Sequence, residues 1–274
     1  MVFNPSALYA NTNATIVDTI DYPLPSDVEL MWTGFLIGGS IFAGAAVLEL
    51  TSLSTVRSLV STPEGMKLYA TAWMHTAINH LILAPMTYMA GTRLFGSGAP
   101  VSLSQKLMST LGVLVVHTIG YYFTHRAMHT KALWWAHRFH HRFNRYICPI
   151  AASAVTQTEY LFAYMVPFVV AGAFLQPLSQ EAFIFGALFI GHVNNFLHTP
   201  WMENLSQRHS PWWWVGASDH FEHHRQLTNN YAAPTFNIDR LLGLAPKLER
   251  AIDRACDSVL GAAIGQSSTT KKAA

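Results

Sequence analysis

The chain has 274 residues, enough for one domain or two small ones. Hydrophobic residues make up 51% and charged residues 12%, about half the charged share of a soluble domain, so an ordinary water-solvated surface is excluded and a membrane protein is favoured. A net charge of +2 gives no footing for nucleic acid, and two isolated cysteines, Cys148 and Cys256, form neither CxxC nor CxxCH, which leaves zinc ribbons, thioredoxin chemistry and c-type haem without support.

Residues 1–29 carry no Lys or Arg and lack the basic start and apolar run of a secretory signal; they read as a polar tail with a glycosylation sequon at Asn13. Residues 30–50 are the first long apolar run, and Gly34, Gly38 and Gly39 suit close helix packing inside a bilayer. A second run, residues 68–90, carries His75 and His80, and a Gly/Ser/Pro loop follows over 91–106. The third run, 107–124, leads straight into His125, with His117 on the same stripe two turns earlier. Pro149 is expected to end the helix that bears the next histidines. Residues 160–175 and 182–197 read as a helical hairpin about the turn 176–181, each arm near the lower length of a membrane span. From His198 onward the chain is polar and rich in Trp.

The expected fold is all-α: a polytopic membrane helical bundle of about three spans plus the hairpin, with a cytosolic histidine-rich cap holding a dimetal centre. It divides into a non-cytosolic tail (1–29), N-terminal transmembrane helices (30–106), a catalytic domain (107–245) and a cytosolic C-terminal tail (246–274). Positive charge orients it. The tail 1–29 has no Lys or Arg, whereas segment 125–159 has five and segment 199–274 has eight. The ending Lys271-Lys272-Ala-Ala resembles a dilysine retrieval signal, so the endoplasmic reticulum membrane is the expected location.

Histidine carries the chemistry. His125 and His129 are followed by His137, His140 and His141, and the His-x-x-His-His spacing returns at His220, His223 and His224. On a helix, positions three and four apart share a face, so each cluster presents its imidazoles together. Isolated histidines are usually satisfied polar residues; eight in three spaced groups are a ligand set. Metal binding keeps adjacent imidazoles neutral where protonation would make them repel. A closed site takes four ligands, so this many imply two metal ions, with His192 and His198 as further candidates. All-imidazole ligation suits Fe, Zn, Cu or Ni. Asp219, Glu222 and Asn194 are the candidates to orient the ligand rings. Trp134, Trp135 and Trp201 are candidates for an interfacial belt or an apolar substrate mouth.

These boxes, set among membrane spans, resemble the fatty acid hydroxylase/sterol desaturase superfamily over residues 107–245. Asn230-Tyr231-Ala232 and Asp239-Arg240-Leu241-Leu242-Gly243 resemble that family's segments after the last box, and His198-Thr199 its His-Thr before it. The segment 216–219 departs from the family's Thr-Pro, and Pro234 is unexpected. The resemblance implies a non-haem di-iron oxygenase that uses O2 and two electrons to hydroxylate or desaturate a C–H bond of a membrane-borne lipophile: a sterol, a fatty acyl chain or sphingolipid, or a terpenoid or polyketide intermediate. The chain has no haem-binding His-Pro-Gly-Gly and no flavin or NAD fingerprint, so a separate donor such as cytochrome b5 with its reductase is expected, docking near the basic segment 125–145. Two other readings are a membrane zinc-dependent hydrolase, for which the chain has too few acids, and a non-enzymatic haem or metal carrier.

Overall fold

A computed structural model describes residues 23–176, 178–252 and 254. The sequon at Asn13, Cys256 and the Lys271-Lys272 pair lie outside the described residues. Helix α1 (Asp27–Glu49) starts at a capping box: the Glu29 N–H donates to Ser26 Oγ and the Ser26 N–H donates to Glu29 Oε2. A 3-10 turn and α2 (Leu53–Leu59) extend it. Helix α3 (Pro63–Ala77) begins with Thr62 as cap and Pro63 in its first turn, then passes through a π turn (Ile78–Leu83) into α4 (Ala84–Phe95). Helix α5 (Leu103–Met128) has a second capping box, Ser102 with Gln105. Short α6 (Trp134–His137) and two 3-10 turns (His140–Phe143, Pro149–Ser153) lead to α7 (Gln157–Glu159). Another π turn (Tyr160–Met165) joins α7 to α8 (Val166–Phe174). Helices α9 (Gln180–Leu197), α10 (Pro200–His209), α11 (Ala217–Gln226) and α12 (Ile238–Gly243) complete the sequence of elements.

Each π turn sits just before a proline, Pro85 in α4 and Pro167 in α8. Proline has no N–H to close the preceding turn and its ring crowds the carbonyl one turn back; widening that turn relieves both. Helix α1 crosses the first π turn closely: a Cβ on Gly38 would lie 1.9 Å from the His80 carbonyl oxygen, and one on Gly34 would lie 2.6 Å from Pro85 Cα. Gly39 meets nothing.

Helix α1 packs on α4 and α9, and α5 packs on α8 and α9. The outward faces stay apolar: Leu36 and Val47 on α1, Leu107 and Leu111 on α5, and Phe185 and Phe189 on α9 are all exposed. So large an apolar surface suits lipid rather than water. Two helical stretches, Asp27–Leu59 and Leu103–Met128, are long and apolar enough to cross a membrane. The run 68–90 is divided among α3, the π turn and α4, and the hairpin forms as α7–α8 and α9.

The two ends of the bundle differ. At one end strands β1 (Gly96–Ser97) and β2 (Leu178–Ser179) pair in parallel, joining the 91–106 loop to the hairpin turn, and Lys106 Nζ contacts Glu181 Oε1 at 2.5 Å. At the other end, the Ile150 N–H donates to the buried Glu49 carboxylate at 2.7 Å, and Trp201 Nε1 donates to Thr51 Oγ1 at 3.0 Å. That end carries the histidines. No long helix leads to Pro149: α6 is a single turn, and Pro149 opens a 3-10 turn rather than ending a helix.

Candidate metal centre

Nine of the ten candidate histidines meet in two groups at the cap. His125, His129, His137, His141 and His223 form one; His140, His198, His220 and His224 form the other. Within each group the ligand atoms lie within 4.8 Å of one another, close enough to hold a metal ion. All nine are buried except His129, which is partly so.

The groups do not follow the boxes. His140 leaves its neighbours to join the second group, and His223 leaves α11's other histidines to join the first. Local geometry explains the exchange. On α11, His220 and His224 are one turn apart and share a face, while His223 is rotated about 60° from His220. In the 3-10 turn, successive side chains point about 120° apart, so His140 and His141 diverge. Each group therefore draws on both the 125–141 and the 198–224 segments, and neither segment builds a metal position by itself.

Six of the outer ring nitrogens are tied down, whereas those of His140 and His220 have no partner. The Nδ1–H groups of His125, His223 and His198 donate to the carbonyls of Tyr231 (2.7 Å), Asn229 (2.7 Å) and Asn194 (2.9 Å). His137 Nδ1 lies 2.6 Å from Glu159 Oε1, and both side chains are only 1% exposed. Asn144 Oδ1 receives two rings, His141 Nδ1 at 3.1 Å and His224 Nδ1 at 2.9 Å, one from each group.

With Nδ1 protonated, Nε2 carries a bare lone pair. In the first group these lone pairs face one another: Nε2 of His137 is 3.1 Å from that of His125 and 2.9 Å from that of His141; in the second group the Nε2 atoms of His220 and His198 are 2.9 Å apart. The buried Nε2 of His223 has no hydrogen-bond partner. Converging lone pairs without a proton between them repel unless a cation sits among them, so the donor set fits a metal ion in each group. Burial first, and neighbouring imidazoles second, hold His137, His140, His220 and His224 well below the ordinary histidine value. Burial lowers His198 and His223 to about 4. The rings are thus neutral, as ligands must be.

Several expected residues lie elsewhere. His192 is on α9, a little over one and a half turns before His198, and faces a different side. Its Nε2 lies 3.1 Å from Ser40 Oγ. Asp219 caps α11 through the Gly216 N–H and accepts from Arg240 and Asn237. Glu222 pairs with Arg225 and Gln226 on the helix surface. Asn194 orients His198 through its carbonyl, while its side chain donates to the Ala152 carbonyl at 2.9 Å. Trp134 stacks on His141 with ring centres 5.4 Å apart, whereas Trp135 and Trp201 are exposed. The residues that sequence reasoning missed are Asn144, an amide three positions past His141, and Glu159, an acid just before an apolar run and far from any box.

Fold and site together define an all-α helical protein with an apolar belt and a buried double cage of imidazoles at one end. The family model of the fatty acid hydroxylases matches residues 110–244, and over that segment the chain belongs to this family. No curated protein and no solved structure matches it.

Proposed function

We infer that the chain is an integral membrane di-iron oxygenase that takes O2 and externally supplied electrons to hydroxylate or desaturate a C–H bond of a lipophilic substrate. The carrying observation is the pair of buried imidazole groups whose ring nitrogens converge, with four outer nitrogens of the first group and two of the second tied to carbonyls, Glu159 or Asn144. Bound there, iron would supply O2 activation by one-electron steps, which zinc cannot.

The protein's own part is to hold neutral ligand rings, exclude water and position the substrate. Glu159 keeps the His137 proton on Nδ1 and raises the basicity of Nε2. Trp134 covers His141 and His129 from the outside. Among the described residues no Asp or Glu joins either group, which argues against the hydrolase reading, since that chemistry needs a carboxylate general base beside the metal. Exposed Lys131, Arg138, Arg142 and Arg145 surround the cap and suit an acidic electron donor such as cytochrome b5. On this reading the cap faces the cytosol and the protein resides in the endoplasmic reticulum membrane.

Metal analysis of purified protein, together with O2 uptake under reducing conditions, is the test. Two irons per chain and substrate-dependent O2 uptake are expected. Stoichiometric zinc or a haem absorption band overturns the assignment.

A further inference from the structure

An elongated cavity of about 200 Å³ lies between α1, α4, α8 and α9. Ile37, Leu94, Val169 and Phe183 are among its walls, and no Lys, Arg, Asp or Glu lines it. Two lining residues of α9, Phe183 and Gly191, stand about 12 Å apart along the helix at roughly 1.5 Å per residue, so the cavity runs lengthwise down the bundle.

One end approaches the cage. Tyr164 lines the cavity, donates from its hydroxyl to the Ala152 carbonyl at 3.3 Å, and receives Asn194 Nδ2 at 3.4 Å. The Asn194 carbonyl in turn orients His198. The Tyr164 ring is also 5.3 Å from Tyr121, whose ring is 5.1 Å from His125. Two side chains in series, Tyr164 and then Asn194 or Tyr121, thus stand between the cavity and each imidazole group.

Two polar atoms that line the cavity are unsatisfied: the Tyr88 hydroxyl farther along α4 and, beside the Ser153 contact at this end, a ring nitrogen of His80. His80, in the first π turn, lines the cavity and is 6% exposed. Its Nε2 lies 2.7 Å from Ser153 Oγ, while its Nδ1 has no partner. A buried ring nitrogen left alone is costly, and a ligand atom relieves it. A hydroxyl both donates and accepts, so it satisfies Nδ1 in either tautomer. Gly91 also lines the cavity, and a Cβ added there meets nothing within 4 Å. A side chain at Gly91 would enter open space instead of clashing.

We propose that the cavity binds the substrate as a neutral lipophilic alcohol, with its hydroxyl on His80 and its apolar body along the bundle in the space that Gly91 leaves open. The proposal rests on the oxygenase reading. Absence of lining cations disfavours a free carboxylate or a phosphate ester, since nothing would neutralise its charge in so apolar a space.

The test is photolabelling of the metal-loaded protein in detergent with three probes bearing the same mid-chain diazirine: a long-chain alcohol, the matching carboxylic acid and the matching alkane. The alcohol is expected to label peptides from α8 and α9 that line the cavity. Gly91→Phe should cut this labelling about tenfold, and His80→Phe should bring it down to the alkane level. His80→Gln, which keeps a polar end, should retain part of it and guards against misfolding of the Phe variant. Equal labelling by acid and alcohol, or labelling unchanged in Gly91→Phe, overturns the proposal. Labelling needs no turnover, so its failure is distinct from that of the oxygenase reading, which shows in iron content and O2 uptake.

Discussion

Glu159 and His137 form a buried carboxylate–imidazole pair, Oε1 to Nδ1 2.6 Å, at the back of the first imidazole group. Glu159→Gln keeps the shape but puts an amide in place of the acid. Metal affinity should fall about 10- to 100-fold, the usual cost of losing an outer partner of a ligand. Competition with a calibrated chelator measures it. Unchanged affinity would show that the pair is only a packing contact.

Asn144 joins the two groups through one oxygen. Asn144→Leu should therefore loosen both metal positions together, whereas Glu159→Gln loosens only the first. Stepwise metal titration of the two variants distinguishes a shared support from a local one. If Asn144→Leu weakens one step alone, the bridge has no consequence.

His140→Ala should abolish turnover and reduce bound metal by about half, because the other group keeps all its rings. His198→Ala should act in the same way. His192→Asn should leave metal content unchanged, since His192 contacts Ser40 and belongs to neither group. Elemental analysis of the three variants checks the set.

Acid should destabilise the metal-free protein. His198 and His223 are lowered to about 4 from an ordinary 6.5. Between those values the unfolded chain binds protons that the folded chain does not. Stability is full above about pH 6.5 and falls as pH drops toward about 4. Thermal melts of the metal-free protein in detergent should show Tm steady at neutral pH and declining below about pH 6.5. A flat profile across that window would sink the claim that these rings are neutral and buried.

Gly38→Leu should be strongly destabilising. Its Cβ would fall 1.9 Å from the His80 carbonyl, a backbone atom that cannot step aside. Overpacking costs about 1–3 kcal/mol where a core can yield, and more is expected here. Gly39→Leu, at a site that meets nothing, should be tolerated. Yield and melting temperature in detergent separate the two.

Much of this was legible in the sequence. The apolar runs mark the helices because their period and length survive without context, and the histidine spacing marks the cage because it is too dense to be incidental. The exchange of His140 and His223 was not legible, since it depends on whether a short stretch winds as 3-10 or α, which the fold decides. Glu159 was missed because it lies 22 positions from His137, just before the apolar run that hydropathy presents as the first arm of a hairpin. Asp219 and Glu222 attracted attention by adjacency alone, and adjacency on a helix turns a side chain away as often as toward. The π turns left only the prolines as a trace.

The exchanged histidines also bear on how the protein is made. Four of the five rings in the first group emerge from the ribosome early, but the second group then has only His140. Neither set closes until α11 swings back across the cap. An ion bound at that moment acts as a clasp between early and late parts of the chain, so metal supply during synthesis should govern how much full-length protein accumulates.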